Sequence, residues 1–441
     1  MMRKVIFSVF LVLSGFIFFS CENDTPQEES TLIDVQLLGH LSSSDVGNLL
    51  TQPLTASVNT SQSTYFGLYA YKIIYWTTDK EGNKIRASGL LVIPDYSSLP
   101  PDKQLLFSYP LVTDNHGTIF LNDEAPTEDI STFFNGGSPT GSTLSLVLQY
   151  TGTLGFAVAM PDYIGYGESV DHYHPYMIAE PLANSVADMI KAVYEYAEKN
   201  TLPMKREVYL AGYSEGGFVT MASARKLQGK TPYHIKAVFP MAGVYNMEKM
   251  GLGIITAGSM VFPPYPAYVV YAYSKAYSDI VLQNILQSAF QSTLDTLFDK
   301  TKDGTTIYGM MFAYAGKDPN NDTFLVSDFF TLDAIDSFIN NPDFPLRKRL
   351  RENNVDNWVP QMKMIFIHCG GDNILPQQLA YETYQKFASN GAPDVDFIDP
   401  EVVFGTGSLD HSNCASYAYQ ILFLKLCEME LAPKGVVCSS P

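Results

Sequence analysis

Positive charge is scarce in this sequence. Its 441 residues carry 28 Lys and Arg against 46 Asp and Glu, a formal −18, which repels a phosphate backbone along most of any contact surface. Nucleic acid is excluded as a partner. Charge of either sign is modest at 17%, while 46% of the residues are hydrophobic, so the chain can bury a large core and is not a disordered polymer. After the first 20 residues no apolar stretch runs uninterrupted for the ~20 positions that a bilayer span needs. Cysteine is sparse, five in all. The length allows two or three domains, but α/β folds with insertions often use this much chain for one core and one accessory piece, which is the expectation here.

The N-terminus reads as an address. Arg3 and Lys4 precede an apolar run over residues 5–19, broken only by Ser8, Ser14 and Gly15, and Ser20-Cys21 follow. Basic, hydrophobic and small-residue regions in that order make residues 1–20 a secretory signal peptide; a buried strand rarely runs past ~10 residues. Cleavage before Cys21 leaves an N-terminal cysteine, the position where bacterial lipoproteins carry their lipid, and Ser20-Cys21 resembles the end of such a lipobox. Residues 22–31 are polar and acidic and suit a flexible tether within an extension over 21–60. The expected product is an exported lipoprotein, periplasmic or at the outer membrane or cell surface, touching membrane only through an anchor at Cys21. The other cysteines, Cys369, Cys414, Cys427 and Cys438, then meet an oxidising compartment, where three pairings are open to them.

Along the body, strands and helices alternate. Residues 65–78 and 85–93 are β-rich runs joined by a polar turn with Gly82, so they read as a hairpin. Residues 104–109, 156–160, 208–211, 237–241 and 362–368 are short apolar runs suited to strands buried on both faces of a parallel sheet. Between them, residues 182–200 place Val186, Ile190, Val193 and Ala197 at helical spacing, with Asn200 as a cap. The order is βαβα, hence α/β. Residues 245–360 break the rhythm, being rich in Tyr, Met and Phe, and are expected to be a helical cap inserted between core segments 61–244 and 361–441; a second independent domain is the alternative.

Chemistry gathers at three places. Gly212-Tyr213-Ser214-Glu215-Gly216-Gly217 follows the strand at 208–211 and opens a helix. A nucleophile on such a sharp turn needs flanking glycines, because a side chain two residues away would strike the turn. His368-Cys369-Gly370-Gly371-Asp372 ends the strand at 362–368, placing Asp372 at the sheet's carboxyl edge, where a carboxylate can orient an imidazole. Asp394, Asp396 and Asp399 are the rival acids. His411 alone of the seven histidines follows both serine and acid, at a loop-to-helix boundary before the amphipathic segment 417–429. The chain order Ser214, Asp372, His411 is that of α/β-hydrolase triads. Asp410, adjacent to His411, points elsewhere. If Asp372 and His411 meet, Cys369 and Cys414, each three residues away, come close enough to pair, leaving Cys427 for Cys438. His172-Tyr173-His174 can bind zinc only with a third ligand, and none stands at a sensible spacing. Asp162 is read as a turn residue. Tyr265, Tyr268, Tyr271, Tyr273 and Tyr277 pack the cap on the core or line an acyl pocket.

These residues, with Asn115-His116-Gly117-Thr118, the run from Pro161 to Ser169, and His174-Pro175-Tyr176, resemble the α/β-hydrolase superfamily, and over most of residues 60–430 its secretory-lipase branch. The resemblance implies a serine hydrolase cleaving carboxylic esters of a small molecule, lipid or acylated glycan through an acyl-enzyme, with no metal or organic cofactor. It also implies an oxyanion hole from the amides of Glu215 and a residue near Thr118. Family members run from strand directly into His-Gly, whereas here residues 111–115 intervene. A serine peptidase or amidase, and a lipoprotein that only binds glycan or lipid on an inactive scaffold, are the alternatives.

Overall fold

The computed structural model describes residues 30–50, 59–60, 65–97 and 99–439; the expected signal segment and Cys21 lie outside the described residues. The strands are β1 (Leu32–Leu41), β2 (Asn59–Thr60), β3 (Gly67–Thr78), β4 (Lys84–Asp95), β5 (Tyr109–Asn115), β6 (Ala157–Pro161), β7 (Met204–Tyr213), β8 (His234–Met241), β9 (Met364–Ile367), β10 (Val395–Ile398) and β11 (Cys438–Ser439). Nine of them form one sheet in the order β1-β3-β4-β6-β5-β7-β8-β9-β10, and β2 pairs with β11. From β6 onward in that order the pairing is parallel; β1, β3 and β4 form an antiparallel meander at the other edge.

Alternation along each central strand sets the layers, because successive side chains leave a strand on opposite faces. On β7, Val208 and Leu210 join one buried cluster while Tyr209, Ala211 and Tyr213 join the other; β9 does the same with Met364 and Phe366 against Ile365 and Ile367. Helices Ala179–Lys199 and Glu215–Leu227 cover the first face, and His411–Glu430 covers the second. Each fully buried Phe or Leu in these layers contributes about 1.5–3 kcal/mol. This is the α/β-hydrolase fold, with a mixed sheet flanked by helices.

The β3–β4 hairpin runs in register from Gly67 opposite Asp95 to Thr78 opposite Lys84. Its turn is closed by Asp79 Oδ1, which accepts from the Asn83 amide at 2.8 Å, with Gly82 at φ 84°. The strand expected at 104–109 is displaced. Pro101 starts a short helix, Pro101–Gln104, and Leu105 and Leu106 are 88% and 85% exposed. The buried strand is instead Tyr109–Asn115, every residue of it inside. That shift removes the apparent interruption before His116-Gly117, since β5 runs straight into it. Leu32–Leu41, within the expected extension, is one of the sheet's two edge strands.

Between β8 and β9 the chain forms helices, among them Met247–Ala257, Pro264–Ala276, Gly304–Tyr314, Leu332–Asn340 and Pro345–Glu352. Their buried side chains belong to the same cluster as one face of the sheet. Tyr268 stacks on Tyr176 at 4.6 Å and on Phe298 at 4.5 Å, and the Tyr273 hydroxyl donates to the Met177 carbonyl at 3.1 Å. The insertion thus shares the core's interior.

Candidate active site

The turn at Ser214 is built by exclusion. β7 ends at Tyr213, helix Glu215–Leu227 begins one residue later, and Ser214 between them holds φ 61° and ψ −120°, a left-handed conformation that costs a non-glycine residue about 1–3 kcal/mol. Surrounding structure enforces it. A Cβ on Gly212 would sit 2.5 Å from the Gly216 carbonyl oxygen, on Gly216 1.8 Å from that of Asn115, and on Gly217 2.4 Å from that of Met241. The Ser214 amide donates to the Met241 carbonyl at 2.9 Å, pinning the turn to β8.

Three loops at the carboxyl edge bring the expected side chains together. Ser214 Oγ lies 2.9 Å from His411 Nε2, and His411 Nδ1 lies 2.7 Å from Asp372 Oδ2. Asp372 Oδ1 accepts from the amides of Ile374 at 3.0 Å and Leu375 at 2.8 Å. Burial alone would raise the Asp372 pKa, but hydrogen bonds from His368 and His411 and the charges of those rings outweigh it, holding the carboxyl well below the usual carboxylate range. It stays an acceptor, which fixes the imidazole with its proton on Nδ1 and a lone pair toward the serine. His411 opens helix His411–Glu430, whose N-cap is Asp410, accepting from the Asn413 amide at 2.8 Å. The Tyr213 hydroxyl donates to the His411 carbonyl at 2.6 Å.

The rival acids are engaged elsewhere. Asp394 and Asp396 pair with Lys363, and Asp399 caps helix Pro400–Phe404 and accepts from Gln377. Asp162 is fully buried and accepts from Ser88 and Thr127. Cys369 joins Cys414, and Cys427 joins Cys438; the first bridge ties the loop carrying Asp372 to the helix carrying His411. Gly117 passes beside Ser214, a Cβ there lying 3.6 Å from Ser214 Cβ. Neighbouring Thr118 is held by its side chain, Oγ1 2.8 Å from the Tyr176 hydroxyl.

Two buried histidines hold partners that were not foreseen. His368 Nε2 faces Asp372 Oδ2 at 3.1 Å and the Leu375 carbonyl at 2.9 Å, adding a second imidazole to the acid. His174, expected as part of a candidate metal pair and of the His174-Pro175-Tyr176 segment, faces the Glu215 carboxyl at 2.8 Å through Nε2 and the Ile164 carbonyl at 2.9 Å through Nδ1. A polar ring at the end of an otherwise apolar run, as at His368, is the sequence signal for such a role, because a buried polar group demands a partner.

A cavity of about 520 Å³ opens on Ser214 and Glu215. Its walls come largely from the insertion, with Met250, Ile254, Val269, Phe330, Phe338 and Leu350 among them; Tyr265 lines it, while Tyr268 and Tyr273 are buried without lining it. The volume lies within the ~300–1,000 Å³ usual for small-molecule sites.

The fold and this geometry can be set against known proteins. Comparison of the sequence with curated proteins finds no match. Among solved structures, a protein from Legionella pneumophila classed as a hydrolase superposes with TM-score 0.73 at 23% identity, over 91% of this chain and 99% of that one. The rice cell wall degrading esterase LipA from Xanthomonas oryzae gives 0.72 at 22% identity, over 92% and 98%. Lipase A of Candida antarctica gives 0.59 at 15%, over 86% and 77%. At these identities the likeness establishes the fold. The secretory lipase family model matches residues 141–406, more than half of the sequence, so the chain belongs to the secretory lipase family and is a carboxylic ester hydrolase.

Proposed function

We propose that this ester hydrolase works through Ser214 as nucleophile, His411 as general base and acid, and Asp372 as the orienting carboxylate. The observation that carries the reading is the continuous Ser214–His411–Asp372 hydrogen-bond chain, 2.9 and 2.7 Å long, at the floor of an apolar cavity. His411 Nε2 takes the hydroxyl proton as Ser214 Oγ attacks the ester carbonyl, and Asp372 stabilises the imidazolium that forms. The amide of Glu215, first in its helix, and an amide near Thr118 hold the oxyanion, a contribution of about 3 kcal/mol per donor. As the tetrahedral species collapses, the C–O bond to the alcohol breaks and His411 protonates it. Water then attacks the acyl-Ser214 ester by the same route and releases the acid.

The walls favour an apolar acyl chain, and each methylene buried is worth about 0.8 kcal/mol. In a series of nitrophenyl esters, kcat/KM rises by roughly fourfold per added methylene until the cavity is filled. The direct test is labelling with a fluorophosphonate. Wild type is modified at Ser214 and Ser214→Ala is not; folded wild type that resists the reagent points to a binding protein without this chemistry. Matched ester and anilide substrates separate an esterase from an amidase.

We further propose export as a lipoprotein anchored at Cys21. Membership of a secretory family, and two disulfides that persist in oxidising compartments, support this reading. No helix among the described residues is long and apolar enough to cross a membrane.

A further inference from the structure

The segment His174-Pro175-Tyr176 reaches both residues whose amides would hold the oxyanion. On one side, His174 Nε2 meets Glu215 Oε1 at 2.8 Å, both side chains only 1% exposed. The ring's other nitrogen faces the Ile164 carbonyl at 2.9 Å. A carbonyl only accepts, so Nδ1 carries a hydrogen and donates to it. The Nε2–carboxyl contact then holds its own proton, and the Glu215 side chain cannot leave without stranding a buried polar partner. On the other side, the Tyr176 hydroxyl meets Thr118 Oγ1 at 2.8 Å. Next to it, the Tyr166 hydroxyl donates to the Ile119 carbonyl at 2.7 Å.

The segment is itself immobilised. A Cβ on Gly165 would lie 2.6 Å from the His174 Cα and amide nitrogen, so the loop passes over Gly165 at backbone contact. Tyr268 from the insertion stacks on Tyr176, with planes 14° apart, and its hydroxyl bonds that of Tyr166 at 2.8 Å. Oxyanion donors work only when about 2.7–3.1 Å from the developing charge, and a misplacement of about 1 Å costs ~100-fold in rate.

We propose that His174 and Tyr176 are positioning residues that set the spacing between the two oxyanion-binding amides, His174 acting through Glu215 and Tyr176 through Thr118. The proposal rests on the serine-hydrolase reading above. Neither side chain contacts the Ser214–His411–Asp372 chain through a hydrogen bond, so the prediction separates them from the triad: their loss weakens binding of the tetrahedral state and leaves ground-state binding intact.

The test uses the full mature chain with Tyr176→Phe, Thr118→Val, their double variant, Glu215→Gln and Glu215→Leu. Expected for Tyr176→Phe is a fall in kcat of about tenfold, short of the ~10²–10³ for outright removal of a donor, with KM within twofold. Affinity for an alkyl boronic acid, which adds to Ser214 as a tetrahedral anion, falls by the same factor, and affinity for the corresponding non-hydrolysable ether does not. Because Tyr176→Phe and Thr118→Val remove one shared bond, the double variant is no slower than either single one. Glu215→Gln, which keeps an oxygen acceptor for His174, retains most of the activity that Glu215→Leu loses, and this pair carries the test if Tyr176→Phe fails to fold. Unchanged kcat, unchanged boronate affinity, or losses that add in the double variant overturn the clamp. Wild type that resists fluorophosphonate overturns the serine-hydrolase reading and the clamp together; labelled wild type with fully active variants overturns the clamp alone.

Discussion

Gly216→Ala is the change that most directly tests how the sequence builds the site. Gly216 lies two residues after Ser214, and a methyl there would stand 1.8 Å from the Asn115 carbonyl oxygen, 2.7 Å from the Asn115 carbonyl carbon and 2.9 Å from the His116 carbonyl oxygen, where real Cβ atoms stay beyond 3.0 Å. All three neighbours are backbone, so no rotamer change relieves the clash. The end of β5 and the first turn of helix Glu215–Leu227 must separate by about 1 Å. Overpacking of that kind costs about 1–3 kcal/mol of stability. The larger effect is functional, because Asn115 leads into His116-Gly117-Thr118. Moving that segment by about 1 Å carries a proposed oxyanion donor away from the carbonyl, with a ~100-fold fall in kcat. Urea unfolding and nitrophenyl ester turnover read the two effects separately. Gly309→Ala, in helix Gly304–Tyr314 and away from the cavity, with nothing within 4 Å of its Cβ position, is the control. It gains about 0.5–1 kcal/mol, as expected for replacing a mid-helix glycine. A Gly216→Ala protein with wild-type stability and wild-type kcat would refute the steric account of the motif.

Two further perturbations test the support around the site. Burial raises the Asp114 carboxyl to about 7 against the opposing pull of the Tyr150 and Tyr419 hydroxyls, the latter donating to Oδ1 at 3.0 Å. Its folded pKa exceeds its unfolded one, so its stabilising effect is complete below about 4 and is lost as pH rises to about 7. Asp114→Asn should therefore match wild type in urea unfolding at pH 4 and exceed it, by up to about 4 kcal/mol, at pH 8; a gap that does not depend on pH would contradict this. The Cys369–Cys414 bridge closes a 45-residue separation, for which the chain-entropy model gives up to about 4 kcal/mol. The Cys369→Ser/Cys414→Ser double variant should lose a large part of this in urea unfolding and also lose kcat, since it frees the Asp372 loop from the His411 helix. Unchanged kcat would show that neighbouring packing alone aligns acid and base.

What was legible in the sequence is what neighbouring residues decide. The elbow could be read because Gly212, Gly216 and Gly217 are demanded by backbone atoms lying against a single turn, and helix Ala179–Lys199 because its apolar spacing repeats from Val186 to Ala197. Asp372 and His411 could be read because a parallel sheet delivers the ends of its strands to one edge, so order along the chain stands in for proximity. β5 was misplaced because Leu105 and Leu106 continue an apolar run that a buried strand would show, yet Pro101 has already turned the chain and left both in solvent. His174 could not be read for the opposite reason. The role of a buried polar ring is set by whatever partner folding brings to it, and the partner of His174 lies 41 residues away in sequence. The cavity follows the same logic. Its walls come from short helices that bury side chains on more than one side, so no periodicity separates a residue lining the cavity, such as Phe330, from one packed in the core, such as Phe329 beside it. The geometry around Ser214 is therefore written in local constraints on the sheet, whereas the shape of the cavity beside it is written in the packing of the helices between β8 and β9, and kinetics that vary the acyl group of an ester read that shape.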